Sequence, residues 1–128
     1  MKRFLAIILV LCLAFTMFAG CGNSKSGNVI KIGVYEPSSG DNGAGGKQEV
    51  LGIEYANSVL NTVEIDGKTY NLQLEIVDNE SSNDKGPSAA AALVSAKVSV
   101  ALGSYGSGVS IAASDVFAKA GIPVIGIS

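Results

Sequence analysis

The chain has 128 residues, a length that suits one domain of ordinary size. Nine Lys and Arg stand against eleven Asp and Glu, a net charge of −2, so there is no basic excess with which to bind nucleic acid. No His is present, which excludes Ser–His and Cys–His nucleophile pairs and His-based metal sites.

The first 20 residues have the pattern of an export signal. Lys2 and Arg3 precede an apolar run over residues 4–19, which is shorter than the roughly 20 residues a membrane span needs. The sequence FAGC at residues 18–21 resembles a bacterial lipobox, in which the Cys is lipidated and becomes the new N-terminus. An uncleaved N-terminal anchor and cleavage by the general signal peptidase are the alternatives. We predict a signal peptide over residues 1–20, lipid attachment at Cys21, and a location on the extracytoplasmic face of the cell membrane.

Residues 21–28 follow as a short polar tether, rich in Gly, Ser and Asn. Residues 22–128 contain no Cys, so the domain after the tether forms no internal disulfide. The tether would let a folded domain, residues 29–128, lie at a distance from the membrane surface.

The next part of the chain predicts one strand, one loop and one helix. Residues 29–35 (VIKIGVY) alternate as a strand does, and residues 37–46 form a loop rich in Gly and Ser. Apolar residues at helical spacing predict a helix over about 47–61. Gly52 lies on its apolar face, where we expect a neighbouring element to pack tightly.

Three further strands and two further helices complete the predicted order. Asp66-Gly67 marks a turn, Pro87 suits the first turn of a helix, and Gly121 closes the last helix. The predicted strands cover residues 70–78, 98–102 and 122–127, and the predicted helices cover 89–97 and the stretch from about 109 to 120. Strands that alternate with helices predict an α/β fold, with a parallel sheet flanked by helices.

A ligand of such a sheet binds at the carboxyl ends of its strands. Loops 37–46, 79–86 and 103–106 meet at that edge, together with whatever follows Ile127. The third loop, GSYGSG over residues 103–108, leads straight into a helix. The free N–H groups of a helix N-terminus bind anions, and the Ser107 hydroxyl adds a donor there, so a carboxylate could be held without Arg. The alternative is that Ser107 only caps its own helix.

Motifs for other chemistries are absent. The Gly-rich stretch at residues 40–47 has the wrong spacing for a phosphate loop, and neither Gly-rich loop contains G-x-G-x-x-G. Asp78, Glu80 and Asp84 do not fit the spacing of a calcium loop, and a solvated loop explains them better. We therefore expect no enzyme activity, no metal and no cofactor.

Several segments together resemble a known family. In order along the chain, IKIGVYEPSSG, LGIEYAN, LEIVDNES and ALGSYGSGVSIAASDVFAKAGIPVIGIS are similar to the periplasmic leucine/isoleucine/valine-binding family of ABC-transporter substrate-binding proteins. The resemblance covers residues 29–128. It implies a type I periplasmic-binding-protein fold, in which two lobes joined by a hinge enclose the ligand, and it makes this chain the start of the first lobe of a longer protein.

The resemblance also implies site residues. Ser107 and nearby backbone N–H groups would hold the α-carboxylate of the ligand, and Tyr105 and Gly106 would line the same pocket. Ser39 lies in the loop that faces the cleft, and Ser128 begins the segment that takes the ligand's ammonium. Because residues 41–46 contain no aromatic side chain, the solute stays open among leucine, another amino acid, an amide and urea.

The implied function is that of a monomeric, lipid-anchored solute-binding protein that captures an amino acid and delivers it to an ABC permease. Capture would proceed by hinge closure, and no bond would be made or broken. A ligand-sensing ectodomain of a receptor or regulator is the alternative, which the lipobox disfavours because Cys21 already supplies the anchor. A hydrolase or nucleotide-binding enzyme fits least, since His and the phosphate loop are missing.

Overall fold

A five-stranded sheet forms the centre of the computed structural model, which describes residues 28–127. Along the sheet the strand order is β2-β3-β1-β4-β5, and every neighbouring pair is parallel except β2 with β3. The predicted α/β fold with a parallel sheet is therefore confirmed. The elements are β1 (Val29–Val34), α1 (Gly43–Val59), β2 (Thr62–Ile65), β3 (Lys68–Ile76), α2 (Gly86–Ser95), β4 (Val100–Leu102), α3 (Ser107–Ala120) and β5 (Val124–Ile125).

The core lies on the face of the sheet that α2 and α3 cover. Tyr35 and Phe117 pack with their ring centroids 5.2 Å apart, and Leu93 lies fully buried beside them. Gly33 in β1 allows this close packing, because a Cβ there would lie 2.8 Å from Leu93 Cδ1. The remaining buried members are mostly Ala, which let the two helices approach each other and the sheet: Ala89, Ala90, Ala101 and Ala113, with Val98.

The opposite face carries α1, which covers it only in part. Its buried residues are Gly43 and Gly46, whereas Tyr55 and Leu60 are largely exposed. A cavity of about 250 Å³ lies between the helix and the sheet, and it is lined by apolar residues that include Ile32, Ile53, Leu72 and Leu74. None of the helices within residues 28–127 has the length and apolar character that a membrane crossing needs.

The start of α1 corrects the predicted loop at residues 37–46. The helix begins at Gly43, four residues before the predicted Lys47. Two glycines make this possible, since a Cβ at Gly43 would lie 3.2 Å from the Ser38 carbonyl and a Cβ at Gly46 would collide with the Pro37 carbonyl oxygen. These glycines therefore permit the first helical turn to pack on the preceding loop.

The expectation of tight packing at Gly52 is wrong. This residue is exposed, and a Cβ built on it meets no atom within 4 Å. Gly52 therefore does not lie on the face of α1 that packs on the sheet.

Strand β2 is absent from the predicted elements. It pairs antiparallel with β3, with Ile65 opposite Lys68, and the predicted Asp66-Gly67 turn joins them. Both turn residues have positive φ, 52° and 72°, as a two-residue hairpin requires. The sequence signal for β2 is the set of β-branched residues that precede the Asp66-Gly67 pair. The other predicted elements are confirmed with boundaries shifted by a few residues, and Gly121 closes α3 in the left-handed conformation at φ 68°.

Gly46→Ala and Gly52→Ala should change stability in opposite directions. The first substitution forces a methyl into the backbone of the loop and should lower the free energy of unfolding by about 1–3 kcal/mol. The second adds a methyl in open space and removes a helical glycine, which should raise it by about 0.5–1 kcal/mol. Urea denaturation of the full-length gene product measures both values. A loss of stability in both variants, or in neither, would contradict the packing described here.

Candidate functional site

Three loops meet at one edge of the sheet, and together they are called the strand-end site: residues 37–42 after β1, 77–85 after β3 and 103–106 after β4. They meet because Val34 pairs with Ile76 on one side and with Leu102 on the other, so the three parallel strands end at the same level. The predicted convergence of these loops is thus present in the structure.

Asn79 connects the three loops from beneath. Its side chain is 0% exposed, and its Nδ2 donates to the Tyr35 carbonyl oxygen at 2.6 Å and to Ser104 Oγ at 2.7 Å. Its Oδ1 accepts from the Ser81 N–H at 3.0 Å. A buried carboxamide satisfied in this way is expensive to replace, because each lost partner leaves a desolvated polar group. Nothing in the sequence singles out Asn79, which looks like any polar residue of a polar loop.

Asp78 fixes the first loop against the second. Its Oδ1 accepts from the N–H groups of Ser38 at 2.9 Å and Glu80 at 2.8 Å, and its Oδ2 accepts from Ser39 Oγ at 2.7 Å. Burial alone would raise the pKa of Asp78, but these donors outweigh it and hold the pKa well below its usual range. The carboxylate therefore organises a loop, and no cluster of three metal-ligating side chains occurs within residues 28–127.

Ser39, a predicted ligand-binding residue, lies exposed in this loop with its hydroxyl donated to Asp78. The next loop holds it from the other side, since Ser81 Oγ donates to the Ser39 carbonyl oxygen at 2.9 Å and accepts from Asn42 N at 2.9 Å. Ser39 can thus offer a ligand the lone pairs of its hydroxyl, while its proton is engaged.

Ser107 is the first residue of α3 and is exposed. The N-cap is Gly106, without a side-chain cap, so the alternative in which Ser107 caps its own helix does not occur. Within residues 28–127 the Ser107 hydroxyl makes no hydrogen bond, and the N–H groups of Ser107 and Gly108 have no backbone acceptor. Three donors at the positive end of a helix dipole are therefore available at this edge of the sheet.

Tyr105 and Gly106 connect the third loop to α1. The Tyr105 ring, 41% exposed, lies over Gly45, where a Cβ would be 2.6 Å from Tyr105 Cε2. The Tyr105 N–H donates to the Glu36 Oε2 atom at 2.7 Å. A Cβ at Gly106 would lie 3.8 Å from Asn42 Nδ2, which places the first and third loops side by side.

The structure therefore brings Ser39, Tyr105, Gly106 and Ser107 to one edge of the sheet. Ser128 and Cys21, together with the predicted signal peptide and the tether up to residue 27, lie outside the described residues. Two cavities of about 290 and 250 Å³ occur in the described chain; Gly103 lines the larger one, but none of these four residues lines either. The strand-end site is an open surface here.

An open parallel sheet with free helix N–H groups at its carboxyl edge defines a class of ligand-binding α/β proteins. Comparison with protein families matches residues 29–128 to the periplasmic binding protein family, and the chain belongs to that family. A search of curated proteins finds no match. The family location is extracytoplasmic, and its members bind solutes.

Solved structures agree with this assignment. The isoleucine-bound LivJ substrate-binding protein of the branched-chain amino acid transporter from Streptococcus pneumoniae is 32% identical with a TM-score of 0.67, over 77% of this chain and 28% of that one. The leucine-binding protein LivK of Thermotoga maritima is 26% identical with a TM-score of 0.67, over 77% and 27% of the two chains. A benzoate-bound solute-binding protein of an ABC transporter from Rhodopseudomonas palustris is 29% identical with a TM-score of 0.64, over 77% and 27%. The chain thus spans little more than a quarter of the length of these relatives.

Asp78→Asn should destabilise the protein in a pH-dependent way. The folded pKa of Asp78 is depressed, so its ionised form stabilises the fold at neutral pH, and this contribution is lost as the pH falls below the ordinary value of 3.8. We expect a loss of about 2 kcal/mol in unfolding free energy near neutral pH, and a smaller difference from wild type in acid.

Urea denaturation at several pH values gives this difference, and Asp115→Asn, an exposed carboxylate on α3, is the matched control. A difference that stays constant between neutral and acidic pH would show that the Asp78 charge does not organise the loop.

Proposed function

We propose that the protein is the solute-binding component of an ABC importer, and that it captures an amino acid at the strand-end site and delivers it to the membrane permease. The observation that carries the proposal is the set of free donors at the start of α3, the Ser107 hydroxyl and the N–H groups of Ser107 and Gly108. These donors suit the α-carboxylate of the solute.

The ligands of the related structures support a carboxylate-centred site. The Streptococcus pneumoniae protein binds isoleucine, and the Rhodopseudomonas palustris protein binds benzoate. These two ligands differ in shape, and isoleucine carries an ammonium group that benzoate lacks. What they share is a carboxylate. A fixed carboxylate subsite on the first lobe, with the rest of the pocket varied, explains how one fold serves both.

The other predicted residues would complete the pocket. The exposed ring of Tyr105 and the backbone of Gly106 flank the donors, and Ser39 offers hydroxyl lone pairs from the first loop. Ser128 would begin the segment that accepts the ammonium of the solute. The facing wall would come from a second lobe, and closure of the hinge would shift the population toward the closed form without any covalent step.

A ligand-sensing ectodomain of a receptor or regulator is the second candidate. A protein of Rhodopseudomonas palustris described as an extracellular ligand-binding receptor is 29% identical over 77% of this chain, with a TM-score of 0.63. The strand-end site would bind its solute in the same way in either role. The lipobox-like sequence ending at Cys21 favours the importer, whose binding component needs only an anchor.

Calorimetry with the full-length gene product and a panel of amino acids, with benzoate, an amide and urea as comparisons, tests the proposed function. We expect at least one amino acid to bind in the millimolar range or more tightly. Absence of binding across the panel would refute the amino-acid assignment, and binding confined to urea or the amide would refute the carboxylate subsite.

Ser107→Ala should weaken binding of the amino acid found in this way. Loss of a hydroxyl donor to a buried carboxylate costs about 1–3 kcal/mol, roughly a fivefold to 150-fold rise in Kd. Ser114→Ala is the control, since Ser114 lies two turns further along α3 and its hydroxyl bonds only the Ile111 carbonyl oxygen. Equal affinities of the wild type and Ser107→Ala would remove Ser107 from the site.

Cys21→Ala should abolish lipid attachment and release the protein from the membrane. A lipidated Cys after a cleaved signal is the only anchor that the proposal provides, and the substitution leaves the folded domain unchanged. Metabolic labelling with a radioactive fatty acid, followed by membrane fractionation, measures both effects. Unchanged labelling of the variant would rule out Cys21 as the attachment site, whereas loss of the label with unchanged fractionation would show that the uncleaved signal acts as an anchor.

A further inference from the structure

Glu36 is a buried acid directly behind the strand-end site. It follows β1 and is 1% exposed, and its Oε2 accepts the Tyr105 N–H at 2.7 Å. Its Oε1 is buried, has no hydrogen-bond partner within residues 28–127, and packs on Gly103, where a Cβ would lie 2.6 Å away. A buried carboxylate oxygen without a donor is costly, so its protonation state needs an explanation.

Glu49, on α1, supplies that explanation. Its carboxyl lies within hydrogen-bonding reach of Glu36, and its own Oε2 is also buried and unpartnered among the described residues. One proton between the two acids would satisfy both oxygens, since the protonated carboxyl of Glu36 would donate to the carboxylate of Glu49. Two adjacent carboxylates, one buried and the other partly buried, cannot both be charged at low cost, and sharing a proton is the usual outcome.

The surroundings offer no charge that would replace the proton. No Lys within residues 28–127 forms an ion pair with either acid, since the ion pairs there join Lys31 to Glu75 and Lys85 to Glu80. Tyr35, directly after β1, is the other titratable group that interacts electrostatically with Glu36, and the β4–α3 loop adds the neutral Tyr105 N–H. Burial, opposed by the Tyr105 N–H and reinforced by Glu49, raises the pKa of Glu36 to about 8.

We propose that Glu36 and Glu49 share one proton and act as positioning residues, which hold Tyr105 and the start of α1 together at the solute-binding edge. The same two elements are joined by the Tyr105 ring over Gly45, so the acid pair and the ring contact support each other. Loss of the proton places two charges between α1 and the third loop, which separates them. The expected effect on binding rests on the proposed function, whereas the shared proton does not depend on it.

The direction of the pH effect follows from the raised pKa. The folded protein holds a proton on Glu36 that the unfolded chain releases above its ordinary pKa of 4.5, so stability falls as the pH rises from there to about 8. At about pH 9 roughly one tenth of the molecules keep the proton. If only these bind, the apparent Kd rises about tenfold.

The test compares wild type, Glu36→Gln and Glu49→Gln in the full-length gene product at about pH 6 and about pH 9. Either Gln can hydrogen-bond to the remaining carboxyl without a shared proton. In both variants we therefore expect the alkaline loss of stability to shrink, and the Kd for isoleucine, by calorimetry, to change less than about twofold beyond the free amino acid's own titration. Glu54→Gln, an exposed acid on α1, is the matched control and should follow the wild type.

The two readouts separate the two hypotheses. If urea denaturation of Glu49→Gln shows the same pH profile as the wild type, burial of Glu36 alone holds the proton, no proton is shared and the inference fails. If the profiles differ but the Kd changes equally in all three proteins, the pair does not position the site and that part is overturned. If the wild type binds no isoleucine, the choice of solute in the proposed function is wrong. The pH profile of stability still decides whether the proton is shared.

Discussion

The strand-end site depends on the buried carboxamide of Asn79. Loops that leave a sheet at the same level have no intrinsic reason to keep a fixed spacing, since their backbones are polar and water competes for every donor and acceptor. Asn79 removes that freedom, because one side chain bonds the end of β1, its own loop and the loop after β4; the first and third of these bonds are buried and the second is partly buried. Inside a low-dielectric region such a satisfied network is stronger than the same bonds in water. The partners of Asn79 adjoin the candidate residues, since Ser81 also bonds the Ser39 carbonyl oxygen and Ser104 directly precedes Tyr105.

Local sequence patterns were sufficient for the framework of the fold. Alternation in β1 and β3, the helical spacing of apolar residues, Pro87 at the start of α2 and Gly121 at the end of α3 each report a local backbone preference, and each is confirmed. The start of α1 could not be predicted in this way. Gly43 and Gly46 lower helix propensity, so they indicate a loop, yet they are present because the preceding loop packs against them. That reason exists only in the folded structure.

The candidate site, like the fold, could be predicted only in part from the sequence. The free donors at the start of α3 could be predicted, because a Gly-Ser loop that enters a helix after a strand has a defined geometry and Ser107 belongs to it. Asn79, Asp78 and Glu36 could not, since nothing in a polar loop or at a strand end distinguishes a buried side chain from a solvated one. In the sequence, Asp78 stands out only for its closeness to Glu80 and Asp84, and Glu36 not at all. Their roles depend on partners about 40 residues away in the case of Asp78 and 69 in that of Glu36.

The charged groups around the strand-end site should suit the negative carboxylate of the proposed ligand. A site for a carboxylate should not face unneutralised acids, yet Asp78 and the pair of Glu36 and Glu49 lie behind this one. Asp78 is ionised, but two N–H groups and a hydroxyl surround its oxygens, so its charge is balanced locally. Glu36, which bonds the Tyr105 N–H next to the donors of α3, would repel a carboxylate if it were charged. A proton shared with Glu49 leaves Glu36 neutral at neutral pH, so the acid pair carries one negative charge instead of two, and that charge lies on Glu49 and not on the carboxyl that bonds the Tyr105 N–H. In the proposed function, carboxylate capture without Arg therefore depends on the proton of Glu36 as well as on the Ser107 hydroxyl.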